Sequence, residues 1–254
     1  MNIKNILIIG AQGQMGRLFV RRSEEAGLTV RGLDRPLTPE AMAQGVRGAD
    51  MVLLAVPAAA MADVSGMCAA VMEPHQILAD ICSVKTGPMA DMLTAHTGPV
   101  VGTHPLFGPA PDPEDVRVAM VPGRDDAAFA AVSAYMEQLG FTSFTTDSDE
   151  HDLAMASIQG LNFVTTVSYL ATLANRPEFE RFITPSFNRR LDAARKMLTE
   201  DSELFSSLVE INPYTQEAIR NFRSLLNIAA GGDIELLSAR ANWWWRNGHS
   251  GGGV

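Results

Sequence analysis

The stretch Asn5-Ile6-Leu7-Ile8-Ile9-Gly10-Ala11-Gln12-Gly13-Gln14-Met15-Gly16-Arg17 decides how the first half of the chain folds. Its short apolar run ends on glycine and reads as a buried strand; Met15 to Ala26 then continues at helical spacing until Gly27 stops it. Between the two lie glycines at 10, 13 and 16. A dinucleotide site needs glycine at such a turn because the chain reverses tightly, the backbone approaches the pyrophosphate and the helix packs closely on the strand. The helix N-terminus then offers free N–H groups and a positive dipole to phosphates. The common fingerprint would put its first glycine at Ala11, so the spacing departs from it. Gly10, Gln12, Gly13, Gln14, Met15 and Gly16 form the candidate phosphate loop.

Outward from this loop, strand and helix signals alternate. Leu28 to Asp34 reads as a second strand, and Asp34 follows Gly16 by 18 residues, close to the roughly 20 expected for the acid that binds the adenosine ribose. A carboxylate there repels a 2′-phosphate, which favours NAD over NADP, although the adjacent Arg35 could accommodate that phosphate. Met51 to Pro57 forms a third strand, with Val56 and Pro57 at its end expected against the cofactor. Residues 76–81, 99–102 and 116–121 read as further strands, and 59–72, 86–95 and 125–139 as helices. Beyond residue 148 helix signals replace strand signals, over 152–174, 179–199, 204–229 and 234–245. The expected architecture is α/β. A Rossmann-like nucleotide-binding domain spans 1–148 with a mostly parallel sheet, and an all-α domain spans 149–254. The glycine-rich stretch after Arg246 is expected to be mobile.

With 254 residues, 46% of them hydrophobic, the chain can bury a sizeable core. Its net charge of −9 argues against general nucleic-acid binding. An anionic substrate must therefore be held by a local cluster of cations. Cys68 and Cys82 have neither disulfide-framework nor zinc-site spacing, and no apolar run reaches membrane-spanning or signal-peptide length. These features imply a cytoplasmic protein without a resident metal.

Two polar segments sit where strands end, which is where open α/β sheets bind ligands. His104, in Thr103-His104-Pro105-Leu106-Phe107-Gly108-Pro109, has a side chain suited to taking a proton from an alcohol during hydride transfer; it could equally hydrogen-bond its own loop. In Asp80-Ile81-Cys82-Ser83-Val84-Lys85-Thr86-Gly87, Ser83 can hydrogen-bond substrate or the histidine. Lys85 could bind a carboxylate, cap the sheet edge or point into water. Of the other histidines, His75 and His249 read as surface residues, His151 as a helix cap together with Asp152, and His96 as facing either cofactor or solvent.

Taken together, Gly13–Arg17, DICSVKTGP over 80–88, AHTGPVVGTHPLFGP over 95–109, Glu150-His151-Asp152 and Asp201-Ser202-Glu203-Leu204-Phe205 resemble the prephenate dehydrogenase family of tyrosine biosynthesis. They are most similar to the dehydrogenase part of its bifunctional chorismate mutase–prephenate dehydrogenases. The loop begins within ten residues of Met1, so a monofunctional enzyme is expected. The resemblance implies NAD-dependent oxidation of prephenate to 4-hydroxyphenylpyruvate with loss of carbon dioxide. It assigns His104 as the catalytic histidine, Ser83 as its orienting partner and Lys85 as support. It also implies a homodimer through the helical domain, where Trp243, Trp244 and Trp245 include a candidate intersubunit contact.

Two departures concern substrate recognition. Where the family has a histidine-rich segment after His151-Asp152, this chain has Gln159-Gly160-Leu161-Asn162, so Gln159 or Asn162 is expected to take over a polar contact. Where the family has an arginine five residues before the Asp201 position, this chain has Lys196, which supplies charge without the bidentate fork. Arg190 and Arg195 are nearby alternatives on the same basic helix, which could also be a solvated face. Competing readings are an arogenate or amino-prephenate dehydrogenase, a β-hydroxyacid dehydrogenase using Lys196 as base, and a non-catalytic NAD-binding sensor.

Overall fold

A computed structural model describes residues 2–248; the expected surface histidine His249 and most of the glycine-rich tail lie outside them. The first half runs β1 (Asn5–Ile9), α1 (Gln14–Glu25), β2 (Thr29–Leu33), α2 (Pro39–Val46), β3 (Met51–Leu54), α3 (Met61–Ala69), β4 (Ile77–Asp80), α4 (Thr86–Ala95), β5 (Val100–Pro105), β6 (Arg117–Arg124), α5 (Asp126–Gln138) and β7 (Thr142–Thr145). The seven strands form one sheet in the order β2-β1-β3-β4-β5-β6-β7, parallel except where β6 runs against β5.

Alternating side chains of β1 explain why the sheet is covered on both faces. Ile6 and Ile8 pack with Phe19, Leu53 and Tyr135 beneath α1 and α5. Leu7 and Ile9 pack with Met42, Met61, Leu78 and Met92 beneath α2, α3 and α4. Each such side chain taken fully out of water contributes about 1.5–3 kcal/mol. β1 lies between β2 and β3, so the chain leaves it in opposite directions, opening a crevice at the carboxyl ends of β1 and β3.

Two elements of this half were not expected. α2 begins with Thr38 accepting from the Ala41 N–H at 3.2 Å and with Pro39 in its first turn, a start signal present in the sequence. β7, Thr-Ser-Phe-Thr, is a short exposed edge strand with no apolar alternation to betray it.

The helical half comprises α6 (Ser148–Met155), a π-helical turn over Ala156–Leu161, α7 (Asn162–Ala171), α8 (Pro185–Thr199), α9 (Ser202–Ile211), α10 (Thr215–Ala230) and α11 (Ile234–Ala241). The continuous helix expected over 204–229 is broken at Asn212-Pro213. Proline lacks the N–H the helix requires, and the Asn212 amide turns away to donate to the Asp152 carbonyl at 2.8 Å.

Candidate active site

At the β1/β3 crevice the glycines act mainly through packing. Gly10 has φ +87°, and a Cβ there would run into the Ala55 carbonyl; a Cβ on Gly16 would strike the Gly10 carbonyl. Gly10 rather than position 11 takes the turn, which accounts for the shifted spacing. α1 starts after Gly13 with no side-chain cap, leaving its first N–H groups for a ligand. Gly10, Gly13, Asp34, Arg35, Val56 and Pro57 line a cavity of about 410 Å³. Asp34 closes the loop at its other end, accepting from the Gln12 N–H at 3.1 Å.

A second cavity, about 640 Å³, begins where the first ends, with Gln14 and Met15 of the same loop in its wall. Ser83, His104 and the Leu106–Pro109 loop form its sheet side; Gln159, Lys196, Glu200, Asp201, Glu203 and Phe205 form its helical side. His104 is the penultimate residue of β5 and is 2% exposed. Burial, with the adjacent His151 and the Lys85 charge, pushes its pKa well below the 6.5 of an ordinary imidazole. It is therefore neutral at physiological pH, the form that can accept a proton.

His104 Nδ1 lies 2.9 Å from His151 Nε2, and His151 Nδ1 lies 2.7 Å from Asp152 Oδ1. The Asp152 carboxylate also accepts from the backbone N–H groups of Lys85 at 2.7 Å and Thr86 at 2.8 Å, fastening α6 to the start of α4. Burial alone would raise the Asp152 carboxyl, but hydrogen bonds from His151, Thr86 and Lys85 hold it below the usual carboxylate value. This cluster corrects the expectation that His151 and Asp152 cap a helix. Asp147 is the cap, accepting from the Glu150 N–H at 2.8 Å, and the two residues lie inside α6 and are buried. The Asp147-Ser148-Asp149-Glu150 spacing, a start signal of the same kind as a capping box, could have placed them there.

Lys85 is fully buried; its Nζ is paired with Asp80 and donates to the Thr103 carbonyl at 2.7 Å. It ties the loop after β4 to β5 beneath His104, and it does not line the cavity. Ser83 lines the cavity without hydrogen-bonding His104; His151 occupies that role. His96 faces neither cofactor nor solvent, since its ring is buried and bonded to the Gln76 carbonyl at 2.9 Å.

The basic helix α8 sends only one cation into the cavity. Lys196 Nζ sits 3.8 Å from Asp201 Oδ2 and near Gly108 in the loop after β5, so the nucleotide half approaches the helix face on which Lys196 stands and leaves the side chain about half exposed. Arg195 pairs with Asp192 at 3.5 Å on the surface, and Arg190 lies over the Tyr169 ring at 4.1 Å; neither lines the cavity. Gln159 reaches the cavity from the π-helical turn, a feature frequent at functional sites, and its Oε1 has no hydrogen-bond partner. Asn162, one turn on, is exposed and outside the lining. The wall residues Glu200, Glu203 and Leu208 were not expected; the first two flank the junction of α8 and α9 beside Asp201, Leu208 lies further along α9, and only tertiary packing brings them in.

Residues 18–143 match the family described as "Prephenate dehydrogenase, nucleotide-binding domain". The chain is 31% identical over 214 residues to the T-protein of Enterobacter agglomerans, covering 82% of this chain and 56% of that protein. It thus spans about half the length of that curated relative. It is 26% identical over 181 residues to the 4-amino-4-deoxyprephenate dehydrogenase of Streptomyces pristinaespiralis, covering 64% of this chain and 61% of the relative. The fold is shared with a prephenate dehydrogenase from A. aeolicus solved in complex with hydroxyphenyl propionate and NAD+. Their TM-score is 0.75 at 19% identity, over 95% of this chain and 96% of that one. His104 and strands β2 to β6 lie within the matched residues, and the chain belongs to the prephenate dehydrogenase family.

Proposed function

We propose that the protein is an NAD-dependent dehydrogenase that converts prephenate to 4-hydroxyphenylpyruvate and carbon dioxide. The observation that carries this reading is that neutral His104 and Lys196 line one cavity that starts at the N-terminus of α1. A dinucleotide fits the residues present. The uncapped start of α1 suits a pyrophosphate, Asp34 suits ribose hydroxyls, and the glycine loop borders both cavities. When bound, NAD supplies the hydride acceptor.

The chain's own part is to bind, orient and take one proton. His104 accepts the ring-hydroxyl proton as hydride leaves the same carbon. Lys196 holds a substrate carboxylate, and Leu204, Phe205 and Leu208 help to keep water out. As the ring carboxylate departs as carbon dioxide, its bonding electrons stay in the ring, which becomes aromatic. Residues 1–148 hold the nucleotide in this reading, and 149–254 complete the substrate site. The exposed apolar side chains of the helical half, including Leu226, Leu236 and Trp244, support a homodimer formed through it.

One observation favours a second reading. Glu200, Asp201 and Glu203 share the cavity wall with Lys196, so among the described residues that wall is acidic on balance. A substrate bearing an ammonium group, arogenate or 4-amino-4-deoxyprephenate, would suit that wall better than a dianion. Initial rates with prephenate, arogenate and 4-amino-4-deoxyprephenate, each with NAD and NADP, decide between them. Prephenate with NAD is expected to give the highest kcat/KM. A preference for an amino substrate would establish the second reading, and no reduced cofactor with any substrate would defeat both.

A further inference from the structure

We propose that His151 and Asp152 are positioning residues that lock His104 in the tautomer carrying its proton on Nδ1, so that Nε2 is always the acceptor. The argument follows donors and acceptors from the interior outward. Asp152 is fully buried, and its carboxylate is already the acceptor for the Lys85 and Thr86 backbone N–H groups. An ionised carboxylate cannot donate, so the 2.7 Å bond between Asp152 Oδ1 and His151 Nδ1 requires a proton on that nitrogen. A neutral imidazole carries a single N–H, so with that proton on Nδ1 the neutral form of His151 has a bare Nε2. Across the 2.9 Å contact, His104 Nδ1 must therefore be the donor. His104 Nε2 is left without a proton, and no protein group among the described residues bonds to it.

The lock rests on rigid parts. The two backbone donors belong to the first turn of α4, whose positive end favours the Asp152 charge. From behind, Asn212 holds the Asp152 carbonyl at 2.8 Å. The rings of His104 and His151 meet edge to face, with centroids 5.0 Å apart and planes at 71°, so neither can turn over without breaking the chain of bonds. Once Nε2 takes a proton, the cation formed is linked through His151 to the Asp152 carboxylate. A free imidazole would share its proton between the two nitrogens and present an acceptor only part of the time. The relay removes that loss before substrate arrives.

The catalytic consequence rests on the dehydrogenase reading above; the tautomer itself does not. Nitrogen-15 NMR of the histidine-labelled full chain at neutral pH should show His104 with a protonated Nδ1 and a bare Nε2. His151→Gln keeps an oxygen acceptor near the position of Nε2, whereas His151→Leu removes it. In His151→Leu the His104 signals should move to values shared between tautomers, and kcat should fall about tenfold or more with KM nearly unchanged. In His151→Gln both the signals and most of the kcat should return. A proton on Nε2 of His104 in the unmodified protein would overturn the proposal whatever the activity. So would a His151→Leu variant with full kcat, or a His151→Gln variant no better than His151→Leu although both bind NAD normally. If the unmodified protein failed to oxidise prephenate, the substrate reading would fall while the NMR result still decided this one.

Discussion

The two halves of the chain handle apolar surface in opposite ways. In the sheet half β1, β3, β4 and β5 are almost wholly buried, because helices cover both faces of a parallel sheet. In the helical half few apolar side chains are buried: Met155, Ala156, Phe163, Ala194 and Leu208. Among the described residues, every exposed large hydrophobic side chain apart from Phe144 lies after residue 150. A helix buries only a stripe, and these helices meet too few neighbours within one chain to cover theirs. The first half is thus a self-sufficient scaffold that aims the chemistry. The second supplies a wall of the cavity and leaves apolar side chains on its other faces exposed.

The contrast can be broken most severely at His104. His104→Asn should lower kcat by a factor of about 10² or more, the usual consequence of removing a general base, while NAD affinity stays near normal. Steady-state rates and NAD titration check this. If that variant kept its turnover and Lys196→Ala lost it, the base would lie on the helical half, as in the β-hydroxyacid dehydrogenase reading.

Next in size is Lys85→Met, which strands the buried Asp80 carboxylate. A loss of about 3–5 kcal/mol in unfolding free energy is expected, read by denaturant titration and independent of protein concentration. Leu226→Arg, on the half-covered surface of α10, should leave that unfolding nearly unchanged and instead shift the sedimentation profile towards monomer. Equal effects of the two variants on unfolding would erase the distinction between the halves.

Lys196→Ala should raise KM more than it lowers kcat, by about 1.5–3 kcal/mol for a charge-assisted bond. Lys196→Arg should hold or improve prephenate binding, whereas Arg190→Ala and Arg195→Ala should change little, because neither lines the cavity. An increase in KM on removing either arginine would show that α8 meets substrate through another face.

A finer test concerns pH. In the proposed reaction His104 must be neutral, and burial first, then His151 and the Lys85 charge, hold its pKa well below 6.5. Activity should therefore persist below pH 6.5 and fall only as pH drops through that lowered value. The same shift makes the unfolded chain bind the proton first, so the stability that neutral His104 contributes is present above about 6.5 and is lost as pH falls from there. An acid limb at or above 6.5 would contradict the buried placement. The smallest expected effect is at Asp34, where Asp34→Ala should erode the preference for NAD over NADP by weakening NAD, read as a ratio of kcat/KM values.

The sequence by itself determined the alternation of strands and helices, the glycine crevice and the change to helix after residue 148. All of these follow from local periodicity and from backbone conformations that only glycine adopts freely. It also singled out His104, Lys196 and Asp34 as chemically apt. It could not say that Lys85 is buried in an ion pair while Lys196 reaches the cavity, because both are lysines near helix ends and only packing across strands and loops separates them. Nor could it say that His151, 47 residues from His104, faces it. Whether a histidine is a cap, a surface group or a link in a relay depends on what stands opposite, and tertiary structure alone brings residues so distant in the chain within hydrogen-bonding reach.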